Sequence, residues 1–213
     1  MKDEKLRKTW KQDAEGVKHD ILMVAMDEFA DHGLAGARID EIAEKTKTSK
    51  RMIYYYFGDK EGLYLAALEA AYARVRGGEE NIEIDALGPV EAMQELVRFT
   101  FDHHRSQPNL VRMVMNENVN HAAYLKKSDF IRDLNLMSLR RISQVLERGQ
   151  AEGIFRTDVD GRFLHWQIQA QCFYNVANRP SYSTKFGGEF FTDEGQKRVR
   201  ELIVESVIAF LKG

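Results

Sequence analysis

The sequence predicts an all-α protein: an N-terminal three-helix headpiece and, behind it, a larger helical domain. Three observations carry that reading. Apolar residues recur at alternating steps of three and four in segment after segment, as a helix that buries one face requires. Only three prolines occur in 213 residues, and two of them, Pro89 and Pro108, stand where new helices begin. The stretch from Ala37 to Lys60 divides into two short amphipathic segments around a polar break, the outline of a helix-turn-helix.

With 44% hydrophobic residues the chain can bury a substantial core. The lone Cys172 excludes an intramolecular disulfide and any multi-cysteine zinc site, which fits a reducing compartment. The N-terminal residues lack the apolar core of a secretion signal, and no run of about 18 apolar residues occurs anywhere. The expectation is a soluble, cytoplasmic protein with no membrane partner. Net charge, −2 overall, says little by itself, because residues 1 to 76 hold 14 basic and 14 acidic side chains.

Residues 1 to 16 read as a charged arm, frayed and solvated, with a contact to phosphate or minor groove as the alternative; Trp10 is placed to dock back on the body. The headpiece occupies 17 to 58. Its first helix runs from about Val17 to Asp31, with Val17, Ile21, Ala25 and Phe29 on one stripe, and ends where Gly33 supplies a left-handed cap. The second buries Ile39, Ile42 and Ala43; the third starts at Ser49 and is held down by Ile53 and Phe57. Asp59 then caps a long helix to about Arg76, the natural lever of the molecule. The remaining domain, 59 to 213, breaks at Gly77-Gly78 and resumes with helices expected at 89–105, 108–119, 122–152, 160–178 and 193–211. A long loop is expected from Arg179 to Thr192, on the strength of Pro180 and Gly187-Gly188.

The third headpiece segment has the chemistry of a DNA reader. Thr48, Ser49, Lys50, Arg51, Tyr54 and Tyr55 place hydroxyls, cations and phenols at one helix N-terminus and along the face that follows. A helix N-terminus offers free N–H groups to phosphate, and an arginine reads guanine bidentately. Between residues 45 and 60 the charges are Lys45, Lys47, Lys50, Arg51 and Lys60 against Asp59 alone. Basic charge is concentrated here in a protein that is otherwise slightly acidic.

The string TSKRMIYYYFGDKEGLY resembles the TetR family of bacterial transcriptional regulators: Ser-Lys, a variable pair, an apolar residue, Tyr, two positions that are aromatic or His, Phe, a short polar turn, Lys-Glu, then a long helix. The match is dense from Ile21 to about Tyr64; beyond that it extends mainly to length and helical layout. The resemblance implies a homodimeric, ligand-responsive DNA-binding protein. It also implies that Lys60 and the tyrosines grip the DNA backbone while residues near Arg51 face bases, and that the last two helices form the dimer interface. Three departures stand out. Arg38 replaces the usual Thr or Ser near a helix start, Lys47 and Thr48 replace Gly and an apolar residue in the turn, and Tyr56 stands where His is common. A turn built on Lys47 demands a left-handed backbone that glycine adopts freely.

The DNA-binding candidates are therefore Arg38, Thr48, Ser49, Lys50, Arg51, Tyr54, Tyr55 and Lys60. Phe99, His103, Met113, Asn116, Glu117, Trp166, Gln169, Phe173 and Tyr174 combine apolar and aromatic surface with a few polar groups, the make-up of a small-molecule pocket. In the last two helices Phe163, Trp166, Ala170, Phe173 and Ala177, and Val199, Ile203, Ser206 and Phe210, form near-heptad seams. These suit a four-helix bundle between two copies, or else the monomer's own core. Glu117 and His121 lie four apart, with His103-His104 as further donors, but no third ligand has metal-site spacing, so neither metal nor cofactor is expected. No catalytic motif is present. The function expected is a ligand-responsive repressor that leaves its double-stranded operator when a small-molecule effector binds, with an activator or a less specific DNA binder on the same scaffold as the alternative.

Overall fold

The computed structural model describes the backbone of residues 2–79 and 83–213, and the side chains of 14–74 and 83–213. Ten α-helices occur among these residues: α1 (Lys2–Gly36), α2 (Ile39–Lys45), α3 (Lys50–Phe57), α4 (Lys60–Glu79), α5 (Pro89–Ser106), α6 (Pro108–Val119), α7 (Asp129–Ala151), α8 (Gly161–Ala177), α9 (Arg179–Phe186) and α10 (Asp193–Lys212). They form two compact units, one of Met1–Ala73 with Arg112–Asp129 and one of Arg74–Val111 with Phe130–Gly213.

In the first unit the stripe expected on α1 is its buried face: Ile21, Ala25 and Phe29 are fully inaccessible, as are Ile42 of α2, Ile53 of α3, and Leu63, Ala67 and Leu68 of α4. Phe29 meets Tyr64 edge-on at 5.0 Å. The helical path of α1 is interrupted at Gly33 (φ 64, ψ 177). The positive φ was expected; the extended ψ takes the residue out of the left-handed helical well into a region open only to glycine. Helix α1 starts at Lys2, where an irregular arm was expected, and the side chain of Trp10 lies outside the described residues. Helix α4 runs through Gly77 and Gly78 to Glu79 instead of stopping at them. The expected break is thus shortened, and residues 80–82 of its acidic segment lie outside the described residues.

The second unit packs α5, α7, α8 and α10 around one core, with Met93, Leu96, Val97 and Phe101 meeting Ile142, Leu146, Leu164, Ile168, Cys172, Val204, Val207 and Leu211. Polar ties hold α5 to α10: Arg98 donates to Glu201 at 2.9 and 3.2 Å, and Arg200 to Asp102 at 2.8 Å.

Two further expected elements differ. The helix foreseen over 122–152 begins only at Asp129, because His121 and Ala122 take positive φ (57° and 56°) and a 3-10 turn over Leu125–Lys127 follows. The loop foreseen at 179–192 contains α9 and a second 3-10 turn. Pro180 sits in the first turn of α9, where its missing N–H costs nothing, and Gly187 (φ 89) ends that helix. A cluster of Tyr182 with Phe186, Phe190 and Phe191, ring centroids 4.9 to 5.9 Å apart, supplies the packing that the punctuation residues concealed.

Candidate functional site

The helix-turn-helix is set by one buried acid. Glu28, 4% exposed, accepts from the Arg38 backbone N–H through Oε1 at 3.1 Å and from Lys45 Nζ through Oε2 at 3.3 Å, and Oε1 also lies 3.4 Å from His32 Nδ1. Burial opposes its ionisation, but these donors prevail and hold its pKa below the ordinary carboxylate range. Arg38, at the N-cap of α2, makes no side-chain cap. Glu28 accepts the N–H of Arg38 itself, the bond that the acid of a capping box makes, while no side-chain cap from Arg38 serves the first-turn N–H groups of α2.

The turn after α2 is a Schellman motif: Lys47 N–H donates to Glu44 O at 3.1 Å and Thr48 N–H to Ala43 O at 3.0 Å, with Lys47 at φ 52. The left-handed residue is therefore a lysine, at a cost of about 1 kcal/mol or more relative to glycine. Ser49 then caps α3, its Oγ accepting from Met52 N–H at 3.3 Å.

One face of α3 is sealed by Ile53; the other is open. Ser49, Lys50, Arg51, Tyr54 and Tyr55 are exposed, Tyr55 by 77%, and Thr48 is half-buried. The cations are not equivalent. Lys50 pairs with Asp40, Lys45 with Glu28, Arg38 with Glu41 at 3.4 Å, and Lys60 donates to Ala35 O at 3.3 Å. The side chains of Arg51 and Lys47 have no hydrogen-bond or ion-pair partner among the described residues. Hydroxyls, phenols and an unpaired guanidinium on one convex helix, beside a cap that leaves N–H groups open, can bind phosphates and base edges together.

Helix α4 follows at once. Asp59 caps it through Gly62 N–H at 2.7 Å. A Cβ on Gly62 would stand 2.2 Å from Phe57 O, so glycine is what lets the end of α3 abut the start of α4. Further along, Tyr64 donates to Glu117 Oε1 at 3.0 Å, and Glu117 Oε2 accepts from the N–H groups of Tyr124 and Leu125 at 2.9 Å each. Glu117 is 1% exposed. Burial, with this carboxylate beside it, lifts the Tyr64 phenol well above its ordinary pKa and pushes Tyr72 up to about 12. Arg112 of α6 pairs with Asp31 at the end of α1, and Asn116 Nδ2 lies 3.4 Å from Phe29 O. Residues 112–129 thus tie α1 and α4 together, a role their sequence did not announce.

The effector candidates do not form one group. Met113, Asn116 and Glu117 belong to the first unit, Met113 in its core and Glu117 with both oxygens occupied. His121 stands beyond the end of α6, so its four-residue spacing from Glu117 does not place the two on one helical face. No three metal-ligating side chains gather among the described residues. In the second unit, Phe99 stacks on His103 at 5.8 Å, His103 meets His104 at 5.9 Å, and His104 packs edge-on against Phe173 at 6.3 Å and hydrogen-bonds Gln169. His103 Nε2 is buried without a hydrogen-bond partner among the described residues. Burial, and secondarily His104, pushes the His103 pKa down to about 4; burial also lowers His104 and His165. Cys172 is fully buried and its thiol is pushed up to about 12, which makes it inert packing.

Trp166 and Tyr174 lie instead on the outer face of α8, 66% and 56% exposed, with Phe163 at 52% and Leu202 of α10 at 50%. The monomer's core uses the opposite face of α8, Leu164, Ile168 and Cys172, so the α8 seam is open while Ile203 and Val207 of α10 are buried. Beside this open face is a cavity of ≈ 550 Å³ lined by Tyr174, Asn175, Tyr182, Phe190, Phe191 and Leu202 among others. Its α9 wall went unforeseen in the sequence, although four aromatics within ten residues was a usable signal. Gln196, buried, fastens that wall by exchanging hydrogen bonds with Asn175 (2.8 and 3.0 Å) and donating to Phe190 O at 2.8 Å.

A capped, exposed α3 on a sealed three-helix scaffold, joined through α4 to a helical domain, defines a helix-turn-helix DNA-binding regulator with a separate sensing domain. Residues 21–67 match the family model for bacterial regulatory proteins of the tetR family, and residues 89–207 match the tetracyclin repressor-like C-terminal domain. The chain belongs to the TetR family of transcriptional regulators, whose members bind DNA and small-molecule effectors and are not enzymes. It is 33% identical to the HTH-type transcriptional repressor NicS of Pseudomonas putida over 81% of this chain and 82% of that protein. It is 26% identical to the HTH-type transcriptional regulator RutR of Escherichia coli O157:H7 over 89% and 90%. Among solved structures, the putative transcriptional regulator SCO4942 of Streptomyces coelicolor shares the fold, with a TM-score of 0.68, 24% identity and coverage of 92% and 98%. No described helix is long and apolar enough to cross a membrane.

Proposed function

We propose that this protein is a homodimeric repressor that leaves its operator when a small molecule binds the second unit. The observation that carries the DNA half is the open face of α3, where Arg51 is exposed and unpaired while Ile53 on the opposite face is fully buried. Arg51 reads a base, Tyr54, Tyr55, Thr48, Ser49 and Lys60, whose charge faces only a backbone carbonyl, hold the flanking phosphates, and Lys50 and Arg38, each paired with an acid of the protein, contribute less. The repressor relative NicS supports the sign of regulation.

Dimerisation is supported by the open seam of Phe163, Trp166, Ala170 and Leu202 on α8 and α10, apolar side chains that a lone monomer leaves in water. Two protomers so joined would present two α3 helices to half-sites about 34 Å apart. On the effector side, the unsatisfied His103 Nε2, set among Phe99, His104, Gln169 and Phe173, offers the polar anchor of a binding site. An effector acts only through its different affinity for the two spacings of the headpieces, and α4 and α6 each contribute more than one residue to both units. The test is to select bound sequences from a random duplex pool and screen small molecules for release from the winner. Arg51→Ala should cost about 1–3 kcal/mol on that operator and relax preference at one position. Unchanged affinity and preference would remove Arg51 as a base reader, and raised transcription from a retained footprint would reverse the sign.

A further inference from the structure

We propose that the cavity walled by α8, α9 and α10 is a receptor for a second copy of the chain, filled by the partner's Trp166, in an antiparallel register that Arg198 and Glu205 set. The inference rests on the homodimer reading. It goes beyond the open seam by assigning how the two copies are aligned and which side chain each lends to the other.

Helix α10 gives the alignment. Arg198, Leu202 and Glu205 are exposed and, at steps of four and three, share one face of the helix. The side chains of Arg198 and Glu205 have no hydrogen-bond or ion-pair partner among the described residues, unlike Arg200 and Glu201, which are paired toward α5. A two-fold axis that crosses α10 at Leu202 runs the helix antiparallel to its copy and sets Arg198 of each protomer opposite Glu205 of the partner subunit. One complementary pair is then made twice. A parallel, in-register alignment would set like charges against each other.

Helix α8 gives the occupant. Trp166, Ala170, Tyr174 and Asn178 follow one another at steps of four; Trp166 is 66% exposed, and the other three line the cavity of ≈ 550 Å³. Leu202 is level with the stretch of α8 between Gln171 and Asn175, because Ser206 hydrogen-bonds Gln171 and Gln196 hydrogen-bonds Asn175. The same axis therefore carries each Trp166 onto the Tyr174–Asn178 end of the other copy's α8, where the cavity lies. Aromatic rings of α9 and the turn after it wall that cavity, and no Asp, Glu, Lys, Arg or His lines it, which suits an indole. Charge on one helix and shape on the other thus agree on one operation about one residue. A copy of the same chain satisfies both at once.

The experiment measures the monomer–dimer equilibrium of the full-length chain by sedimentation velocity. Arg198→Glu should raise the dimer dissociation constant roughly 10- to 100-fold, because each substitution is met twice. Adding Glu205→Arg to it should return the constant to within about threefold of the wild type. Trp166→Ala, at an exposed position that the monomer's fold does not need, should raise it about 30-fold or more. In a Trp10→Phe chain Trp166 is the sole tryptophan, and its emission should move to shorter wavelength on dimerisation. Leu202→Cys should link two protomers on mild oxidation and Ala209→Cys should not, the native Cys172 being buried. A dimer that the charge exchange does not rescue and that Leu202→Cys does not link would overturn the register. A dimer in which Trp166 emits as a solvated indole, or which still takes up the neutral dye Nile red in the cavity, would overturn the occupant. A wild type that stays monomeric across the concentration range would instead contradict the homodimer reading itself, so the two failures are distinct.

Discussion

Replacing Glu117 by alanine removes one acceptor from three donors at once: the Tyr64 hydroxyl at 3.0 Å and the backbone N–H groups of Tyr124 and Leu125 at 2.9 Å. All three partners donate, so the pocket fits the carboxylate. Each hydrogen bond to a charged acceptor contributes about 1.5–3 kcal/mol, but burying the charge itself costs several. The net worth of the cluster is smaller than the sum of its bonds. What alanine adds is a buried hydroxyl without a partner and two loop N–H groups that must find water. The expected loss is about 3–5 kcal/mol, the usual result of breaking a buried charged cluster from one side. Glutamine should be far milder. Its carbonyl oxygen can take both N–H groups, and its amide can donate to the Tyr64 oxygen once that hydroxyl turns away, for a cost of about 1 kcal/mol. Urea unfolding followed by far-UV circular dichroism and tyrosine fluorescence measures both. An alanine variant within about 1 kcal/mol of the wild type, or a glutamine variant as damaged as the alanine one, would refute the account of Glu117 as the tie between α4 and residues 112–129.

Gly62→Ala should destabilise the headpiece by roughly 1–3 kcal/mol, since its Cβ would fall 2.2 Å from Phe57 O and the backbone must move; the same urea titration reads it. Leu202→Glu should convert a dimer to a monomer in light scattering, because it puts a charge into the open apolar seam, and the variant should lose cooperative operator binding. The third concerns pH. His103, His104 and His165 are held below their ordinary pKa chiefly by burial, so in the acid range the unfolded chain binds more protons than the folded one. The contribution of His103 is fully present above about pH 6.5 and is lost as pH falls toward 4, amounting to roughly 2–3 kcal/mol, and His104 and His165 act in the same direction. Unfolding midpoints measured from pH 7 to 4 should fall accordingly, and His103→Phe should flatten that fall.

Much of this molecule was legible because local rules and tertiary packing agree. The stripe of α1 and the spacing of Ile39, Ile42 and Ala43 could bury only one way, and Ser49 and Asp59 announced the starts of α3 and α4 through capping chemistry alone. The strained turn at Lys47 was foreseen through the family resemblance, which puts a glycine at that position, and the Schellman turn dictates the dihedral whatever residue fills it. Legibility failed where two local signals competed. Pro180 and Gly187-Gly188 read as loop punctuation, yet the proline opens α9 and the first glycine closes it. The apolar run after His121 read as helix, but Glu117 draws two backbone N–H groups of that segment inward and bends it.

The sequence by itself therefore determined the class of fold, the starts of α3 and α4 and the chemistry presented by α3, because each depends on residues within a few positions of one another. Only the tertiary structure decided which cations remain free after their neighbours have claimed the rest, which stripe of α8 is left open, and that Glu117 is a buried tie whereas His103 keeps an unused nitrogen. Those outcomes depend on partners tens of residues away, as Lys45 depends on Glu28 and Tyr64 on Glu117, and periodicity along a chain carries no record of what will stand across from it.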